Sequence, residues 1–250
     1  MARTPIVAGN WKMNTTLESA RALAEGITGH GLDSITTVEK ILCPPYVYLS
    51  AVAEITKETS LKVGAQDVFW EEKGAFTGQV SVAMLKDFCE YVIIGHSERR
   101  QYFGETDESV ARKLAAALAG GLIPIVCVGE TGAERQAGDT QVVLRRQVQG
   151  ALSNVDFPST AIIAYEPVWA IGTGVAATAQ DANDAIGFIR GELASLKGAE
   201  VADAVRILYG GSMTPANVKE LVSQPEVDGG LVGGASLVAD SFAKMVKSIG

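Results

Sequence analysis

Short runs of apolar and often β-branched residues recur along the chain, and within each run apolar residues do not alternate with polar ones. The runs cover residues 6–8, 40–43, 61–65, 91–94, 123–128, 161–165, 206–209 and 230–232. An unbroken apolar run of this length is typical of a strand that is buried on both faces, as the strands of a parallel sheet are. The pattern therefore predicts a series of buried strands.

Segments with a helical period separate these strands. Apolar residues three and four positions apart share one helix face. Such faces are formed by Leu17, Ala20, Ala24 and Ile27, by Ala182, Ile186, Ile189, Leu193 and Leu196, and by Ala239, Phe242 and Val246. Eight strand–helix units in 250 residues favour an α/β fold of the closed (β/α)8 TIM-barrel type over an open doubly wound sheet. We expect one domain that spans residues 1–250.

The composition argues against several classes of protein. The formal net charge is −8 and no run of Lys and Arg is longer than a pair, whereas nucleic-acid binders usually carry a basic face. No apolar stretch approaches the roughly 20 residues that cross a bilayer, and the first residues lack the apolar core of a secretion signal. The three cysteines form no Cys-x-x-Cys pair. We therefore expect a cytoplasmic protein with neither a nucleic-acid partner nor a membrane partner.

The ends of the predicted strands carry the candidate chemistry, because ligands of parallel α/β proteins bind beyond the carboxyl ends of the strands. Lys12 follows the first strand, His96 the fourth and Glu166 the sixth. A carboxylate can remove a proton from carbon if the developing enolate oxygen is stabilised, and Lys12 and His96 are the available stabilisers. A helical turn that opens at Ser97 would disfavour a second proton on His96. Each of these residues, taken alone, is more often structural. Glu98 beside two arginines is typical of an ion-pair network. The presence of Lys12, His96 and Glu166 together at strand ends nevertheless favours a catalytic site.

Glycine pairs follow the last two predicted strands. Gly210 and Gly211 precede a helix that we expect to begin near Ala216, and Gly233 and Gly234 precede a turn into the last helix. Such pairs most often mark tight turns. A backbone without Cβ atoms can also direct several N–H groups at one anion, and phosphate sites of barrels commonly follow strands seven and eight. The pattern predicts a site for a small phosphorylated molecule.

The connection after Glu166 is longer than the ~2–6 residues usual between a strand and a helix. It reaches the next helix near Thr178 and has an apolar middle with glycines beside it, which is typical of a lid that closes over a site and expels water. The predicted lid residues are Pro167, Trp169, Ile171, Gly174 and Ala177. The same stretch is similar to a dinucleotide fingerprint, but its glycines do not follow the strand directly, so we discount a nucleotide cofactor.

Two further features bear on metals and partners. With two histidines and no cysteine cluster, the chain offers little for a metal ion, and we expect no metal site. The loop spanning residues 66–79 contains Phe69, Trp70 and Phe76 outside any predicted strand or helix. Exposed aromatic side chains grouped on a loop indicate an interface with another protein.

The motifs resemble those of the triosephosphate isomerase family along the whole chain. The matching stretches are GNWKMN at 9–14, GAFTG at 74–78, IGHSERR at 94–100, AYEPVWAIGTG at 164–174, YGGS at 209–212 and LVGGASL at 231–237. The resemblance implies an aldose–ketose isomerase that interconverts dihydroxyacetone phosphate and D-glyceraldehyde 3-phosphate through an enediolate and without a cofactor.

The resemblance also implies a role for each matching residue. Glu166 shuttles the proton between the two carbons, His96 polarises the carbonyl and moves protons among the oxygens, and Lys12 offsets negative charge. Asn10 helps to orient the substrate, and Glu98 lies near Lys12 and His96. The substrate and its phosphate are bound by Asn10, Lys12, Gly172, Ser212, Gly233 and Gly234, with the amides near the last four on the phosphate.

The family pattern further implies an assembly. In the family the 66–79 loop enters a neighbouring subunit, so the resemblance implies a homodimer with Gln66, Phe76 and Thr77 at the interface and Thr77 near the neighbour's site.

The chain departs from the family pattern at the far end of the predicted lid. Many members have Lys-Thr-Ala there, whereas this chain has Val175, Ala176 and Ala177, and Ala179 stands where many members have proline. We expect these differences to affect lid opening and product release rather than the chemistry.

Two other functions are open. One is a Schiff-base aldolase on the same barrel, although such enzymes generally need a buried lysine on a barrel strand, commonly the sixth, which here ends in Glu166. The other is a non-catalytic barrel that binds phosphorylated metabolites. The full set of Asn10, Lys12, His96 and Glu166 speaks against a protein that only binds.

Overall fold

The computed structural model describes residues 3–171 and 177–250, and its strands form a closed parallel barrel. The strands are β1 (Ile6–Asn10), β2 (Glu39–Cys43), β3 (Leu61–Ala65), β4 (Tyr91–Ile94), β5 (Ile123–Val128), β6 (Ile162–Tyr165), β7 (Arg206–Tyr209) and β8 (Gly229–Val232). Each strand pairs with its neighbours in sequence, and β8 closes the barrel against β1. The predicted (β/α)8 barrel is confirmed.

Helices alternate with the strands along the chain. They are α1 (Leu17–Thr28), α2 (Leu49–Thr56), α3 (Val82–Leu85), α4 (Ser97–Phe103), α5 (Asp107–Ala119), α6 (Gly132–Gln136), α7 (Thr140–Leu152), α8 (Ala179–Lys197), α9 (Ala199–Ala204), α10 (Val218–Val222) and α11 (Ala239–Ile249). Short 3₁₀ helices lie at Leu32–Ser34, Tyr46–Tyr48, Val168–Ala170 and Gly234–Leu237. The three apolar faces predicted from the sequence fall in α1, α8 and α11.

Two hydrophobic layers hold the barrel together, because alternate residues of a barrel strand point inward and outward. In β1, Ile6 and Ala8 belong to the cluster inside the barrel, whereas Val7 belongs to the layer between strands and helices. The interior is therefore a packed core rather than a channel, and ligands are left with the ends of the strands.

Threonine side chains define the start of several helices. Thr16, Thr106, Thr131 and Thr178 each accept the N–H of the third helical residue, whose side chain bonds back to the N-cap N–H. These capping boxes satisfy backbone donors that the first helical turn leaves unpaired. Thr178 thereby fixes the start of α8, directly after the predicted lid.

The strand β8 begins at Gly229, one residue earlier than the sequence pattern predicts. The φ of Gly229 is +127°, and a Cβ there would lie 1.9 Å from the carbonyl oxygen of Ile6. Only glycine permits this approach of β8 to β1, which closes the barrel.

Candidate active site

The loop after β1 holds Lys12 in a strained backbone conformation. Its φ is 55°, in the left-handed region that residues with a Cβ rarely adopt. The side chain of Asn10 accepts the N–H of Lys12 at 3.0 Å, and Gln66 Nε2 donates to the carbonyl of Lys12 at 2.9 Å. These contacts fix Lys12 at the carboxyl end of the barrel.

His96 lies between β4 and α4, and its side chain caps that helix. Its Nδ1 accepts the N–H of Glu98 at 3.2 Å, so the neutral ring carries its proton on Nε2. Nε2 lies 2.9 Å from Oε1 of Glu166, within hydrogen-bonding distance. The prediction that a helix opens directly after His96 is confirmed.

Opposing effects act on the pKa of His96. Burial is the largest single effect and lowers the pKa, but the attraction of Glu166 and Glu98 together raises it above the ordinary value. The helix after His96 alone predicts a lowered pKa. The pKa is raised instead because of the contact with Glu166, which the sequence does not reveal. A substrate that separates the two side chains would leave burial and the Glu98 N–H to favour the neutral ring.

Glu166 follows β6 and is 2% exposed. Its Oε2 accepts the N–H of Ser97 at 2.9 Å, and its Oε1 accepts the Ser97 hydroxyl at 3.2 Å. Burial raises the pKa of the carboxyl, but His96 and the Ser97 hydrogen bonds outweigh burial and lower the pKa below its ordinary value. The carboxylate is thus ionised and held, and it is a weak base until these partners are replaced.

Two residues around Glu166 were not assigned to it from the sequence. Ser97 contributes a backbone donor and a hydroxyl, and nothing in the residue pattern indicated this. A Cβ on Gly210 would lie 2.9 Å from Cγ of Glu166 and 3.0 Å from the carbonyl oxygen of Tyr165. This glycine, predicted for phosphate binding, therefore makes room for the carboxylate.

Glu98 pairs with Lys12 and not with the arginines beside it in sequence. Lys12 Nζ lies 2.6 Å from Oε1 of Glu98, and Oε2 lies 3.7 Å from Nδ1 of His96. Arg99 contacts Asp67 at 2.9 Å instead. Glu98 thus forms an ion pair, as its charged neighbours led us to expect, but its partner is Lys12 rather than an arginine. The turn into α4 directs its side chain towards the loop after β1.

A cavity of about 440 Å³ opens beside these groups, within the range of about 300–1,000 Å³ that is usual for small-molecule sites. Its lining includes the predicted residues Asn10, Lys12, His96, Ser212, Gly233 and Gly234. A Cβ on Gly233 would lie 3.4 Å from Cε of Lys12, so the second glycine pair lies against the end of the lysine. The cavity therefore has one cationic wall and one wall of exposed backbone.

The helix expected near Ala216 begins later than predicted and is short. It is α10, which starts at Val218 and spans five residues. Before it, Asn217 Oδ1 accepts the N–H of Thr214 at 2.8 Å and forms a turn. At the other glycine pair, a 3₁₀ helix starts at Gly234. An anion in the cavity would meet the N–H groups of turns, without the dipole of a long helix.

Side chains from other strands hold both ends of the predicted lid. Trp169 lies in a 3₁₀ helix, and its Nε1 donates to Oε1 of buried Glu130 at 3.0 Å. At the far end, the Tyr209 hydroxyl accepts the N–H of Ala177 at 3.2 Å. Sequence reasoning assigned no role to Glu130 or to Tyr209.

The predicted lid lies only partly within the described residues. Pro167 directly precedes the 3₁₀ helix, and Ile171 lines the cavity. The lid and phosphate-site predictions that fall outside the described residues are Gly172, Gly174, Val175 and Ala176.

A larger cavity, of about 560 Å³, borders Glu166 but not Lys12. Its arginines are already paired, because Arg100 and Arg146 contact the carboxylate of Asp107 at 2.6 and 3.3 Å. Lys12 lines only the smaller cavity of the two.

The loop spanning residues 66–79 exposes its aromatic side chains unequally. Phe76 is 42% exposed, whereas Phe69 and Trp70 are half-buried with ring centres 4.2 Å apart. Thr77 is exposed beside Phe76. The expectation of three exposed rings is wrong, since two of them pack on each other at the base of the loop.

Within residues 3–171 and 177–250, no group of three or more His, Cys, Asp or Glu side chains is arranged to hold a metal ion. In the same ranges, no helix combines the length and the apolar character needed to cross a bilayer.

The fold and the site define a class: a (β/α)8-barrel protein with His96 and Glu166 in contact beside a cavity that Lys12 lines. The model of the family described as triosephosphate isomerase matches residues 5–249. A triosephosphate isomerase of Moorella thermoacetica is 53% identical over 247 residues, 98% of each chain. Another, of Dehalococcoides mccartyi (strain CBDB1), is 52% identical over 98% of this chain and 96% of that protein. The chain belongs to the triosephosphate isomerase family.

Proposed function

We propose that the chain interconverts dihydroxyacetone phosphate and D-glyceraldehyde 3-phosphate through an enediolate, without a cofactor. The observation that carries this proposal is the contact of Glu166 with His96, at 2.9 Å, beside a cavity that Lys12 lines. A base, a neutral hydrogen-bond donor and a cation are the groups needed to remove a proton from a carbon next to a carbonyl.

Proton transfers account for the whole reaction. Glu166 takes a proton from C1 of dihydroxyacetone phosphate, and the electron pair moves onto the C2 carbonyl oxygen, which accepts a hydrogen bond from His96 Nε2. His96 then moves a proton from the oxygen on C1 to the oxygen on C2, and Glu166 returns a proton to C2. No atom is gained or lost, and the ammonium of Lys12 stabilises the negative charge of the intermediate.

Substrate binding strengthens Glu166 as a base in this account. In the described arrangement His96 and Ser97 donate to the carboxylate and keep its pKa low. When a substrate carbonyl accepts the hydrogen bond of His96 Nε2–H, His96 no longer donates to the carboxylate of Glu166. Burial then has more weight, and the pKa of Glu166 rises towards the value that a base needs.

Asn10 and Glu98 act on Lys12 in this proposal. Asn10 is buried and bonds the backbone of Lys12, so it orients both the lysine and a substrate in the cavity. Glu98 lies 2.6 Å from Nζ of Lys12, and its carboxylate holds the ammonium near His96.

The phosphate group is proposed to lie at the glycine-rich end of the cavity. The residues that bind it are Asn10, Lys12, Gly172, Ser212, Gly233 and Gly234. The residues of the lid that closes over it are Pro167, Trp169, Ile171, Gly174 and Ala177. Backbone N–H groups can surround a phosphate where no Cβ intervenes, and a lid that excludes water strengthens each of these interactions.

The described residues give neither alternative function an advantage. Lys40 is buried on a barrel strand, as a Schiff-base lysine would be, but its Nζ donates to the carbonyls of Leu32 and Ile35 at 3.1 and 2.6 Å. Lys40 does not line the cavity that Lys12 lines. We expect no adduct on borohydride reduction in the presence of substrate.

The deciding experiment is a turnover assay on purified protein. Conversion of dihydroxyacetone phosphate is followed with a coupled glyceraldehyde-3-phosphate dehydrogenase, with and without phosphoglycolate as a mimic of the enediolate. We expect turnover that phosphoglycolate inhibits. Binding of phosphoglycolate without turnover would instead favour a barrel that only binds phosphorylated metabolites.

We also propose a homodimer that forms through the 66–79 loop. The segments that follow β1 to β4 carry exposed apolar side chains, namely Met13, Val47, Phe76, Tyr102 and Phe103. These segments are neighbours, because the four strands are consecutive in the barrel. Burial of such a surface favours association. Thr77 at the tip of the loop approaches the partner's site in this proposal, and Gln66 anchors the base of the loop to Lys12.

We propose that residues 1–250 act as a single catalytic domain in the cytoplasm, with neither a nucleic-acid nor a membrane partner. The formal charge of −8 opposes binding to nucleic acid. The cysteines are buried and unpaired, which suits a reducing compartment.

A further inference from the structure

Arg135, in α6, contacts both ends of the chain segment that follows Glu166. Its guanidinium carbon lies 4.4 Å from the centre of the Trp169 ring. Its Nη2 lies 3.0 Å from Oδ1 of Asp181. Trp169 belongs to the near end of the segment and Asp181 to the first turn of α8, directly beyond its far end.

Each contact involves a group that is already fixed in place. Trp169 Nε1 donates to buried Glu130, and Arg135 Nη1 lies 3.6 Å from the same carboxylate oxygen. Asp181 Oδ2 accepts the Thr178 hydroxyl at 2.6 Å in the capping box of α8. One planar guanidinium therefore joins three elements that are distant in sequence: α6, the 3₁₀ helix after β6, and the start of α8.

We propose that Arg135 is a positioning residue for the isomerase reaction: it fixes the two ends of segment 167–177 relative to each other without touching the substrate. The proposal rests on the proposed function, since it concerns the segment that begins one residue after the proposed base. Pro167 directly follows the proposed base and Ile171 lines the cavity. Trp169 lies between them, so fixing Trp169 holds both the chain next to Glu166 and the position of Ile171 in the cavity. Arginine suits this role because its face stacks on an aromatic ring while its edge pairs with a carboxylate.

The chain offers a matched control in Arg145, in α7. Its Nε lies 3.0 Å from Oε1 of Glu192, and its guanidinium carbon lies 5.3 Å from the centre of the Phe188 ring. Arg145 is 48% exposed and Arg135 36%. Both arginines combine an ion pair with a ring contact, but Arg145 joins only α7 to α8, away from the segment.

The test compares Arg135→Met, Asp181→Asn, the double variant and Arg145→Met in steady-state kinetics. Asparagine at 181 keeps an oxygen for the capping box while it removes the ion pair. A misplacement of about 1 Å can cost ~10²-fold in rate, and for this partial loosening we expect kcat/KM to fall about tenfold in Arg135→Met. The affinity for phosphoglycolate should fall by a similar factor, the double variant should be no worse than Arg135→Met, and Arg135→Lys should recover part of the loss. Arg145→Met should leave the kinetics unchanged.

Equal kinetics for Arg135→Met and Arg145→Met would overturn the proposal, as would additive losses for Arg135→Met and Asp181→Asn. A loss of thermal stability in Arg135→Met with unchanged kcat/KM and phosphoglycolate affinity would show a purely structural role. Failure of the proposed function is distinguishable, because the unmodified protein itself would then show no turnover.

Discussion

Charged groups at the two ends of the barrel are paired in different ways. At the amino end, Arg190 donates to the carbonyls of Ala202 and Val205 and to the carboxylates of Glu226 and Asp228, at 2.6 to 2.8 Å. The Arg190 side chain is 9% exposed, and the hydrogen-bonding capacity of its guanidinium is used within the protein. These contacts serve the fold.

At the carboxyl end, Lys12, His96 and Glu166 lie beside a cavity. Lys12 Nζ has a single carboxylate partner among the described residues and lines the cavity, and its backbone is strained. His96 and Glu166 hydrogen-bond to each other in an arrangement that a substrate can replace. Arg190 thus stabilises the fold through contacts that are complete within the protein. The contacts of Lys12, His96 and Glu166 lie beside a cavity, where a substrate can replace them.

The largest effect is expected at the amino end. Arg190→Met leaves Glu226 without this cation and Asp228 with one ion pair fewer, and the loss of one partner from a buried pair costs about 3–5 kcal/mol of unfolding free energy. Denaturant titration measures the loss, and turnover per folded molecule should stay unchanged. A loss of unfolding free energy below about 1 kcal/mol, which is typical of an exposed ion pair, would show that the contacts of Arg190 do not stabilise the fold as a buried network does.

The next effect is expected at the carboxyl end. Glu166→Asp withdraws the carboxylate by one methylene, about 1 Å, and the rate should fall on the order of 10²-fold. The affinity for phosphoglycolate and the free energy of unfolding should stay close to those of the unmodified protein. Unchanged turnover would remove Glu166 from the mechanism.

The same two ends explain how far the sequence could be interpreted. Predominantly apolar runs predicted every strand, because a strand buried on both faces needs apolar residues at most of its positions. Lys12, His96 and Glu166 were found because strand order brings strand ends together. Ser97, Tyr209 and Arg135 were not, since a backbone N–H, a tyrosine hydroxyl and a stacked guanidinium act through geometry that their residue types do not signal.

A third effect concerns the proposed dimer. Thr77→Arg places a charge in the proposed interface, where burial of an unpaired cation is costly. We expect this variant to be monomeric by light scattering and to show poor activity in the turnover assay. Glu200→Arg, an exposed change at the amino end, is the control and should remain dimeric. Active monomers of Thr77→Arg would refute the dimer proposal.

The smallest effect is a shift in the titration of His96. Its pKa is raised in the folded protein by Glu166, so the contact contributes stability below the ordinary pKa of histidine, and this stability is lost as the pH rises through the raised value. Glu166→Gln removes the carboxylate, and the pKa of His96 should fall because burial then dominates. NMR titration resolves His96 with His30 as internal reference. An unchanged His96 titration would show that the two side chains are apart in solution.

The role of Glu166 as the group that moves the proton between carbons is tested most directly by following a carbon-bound proton of the substrate. Dihydroxyacetone phosphate is incubated in D₂O with the unmodified protein and with Glu166→Gln, and NMR follows deuterium at carbon. The account predicts that the unmodified protein forms glyceraldehyde 3-phosphate with deuterium at C2, and that Glu166→Gln incorporates deuterium at a rate lower by at least about 10²-fold. Equal rates of deuterium incorporation by the two proteins would contradict a proton shuttle at Glu166.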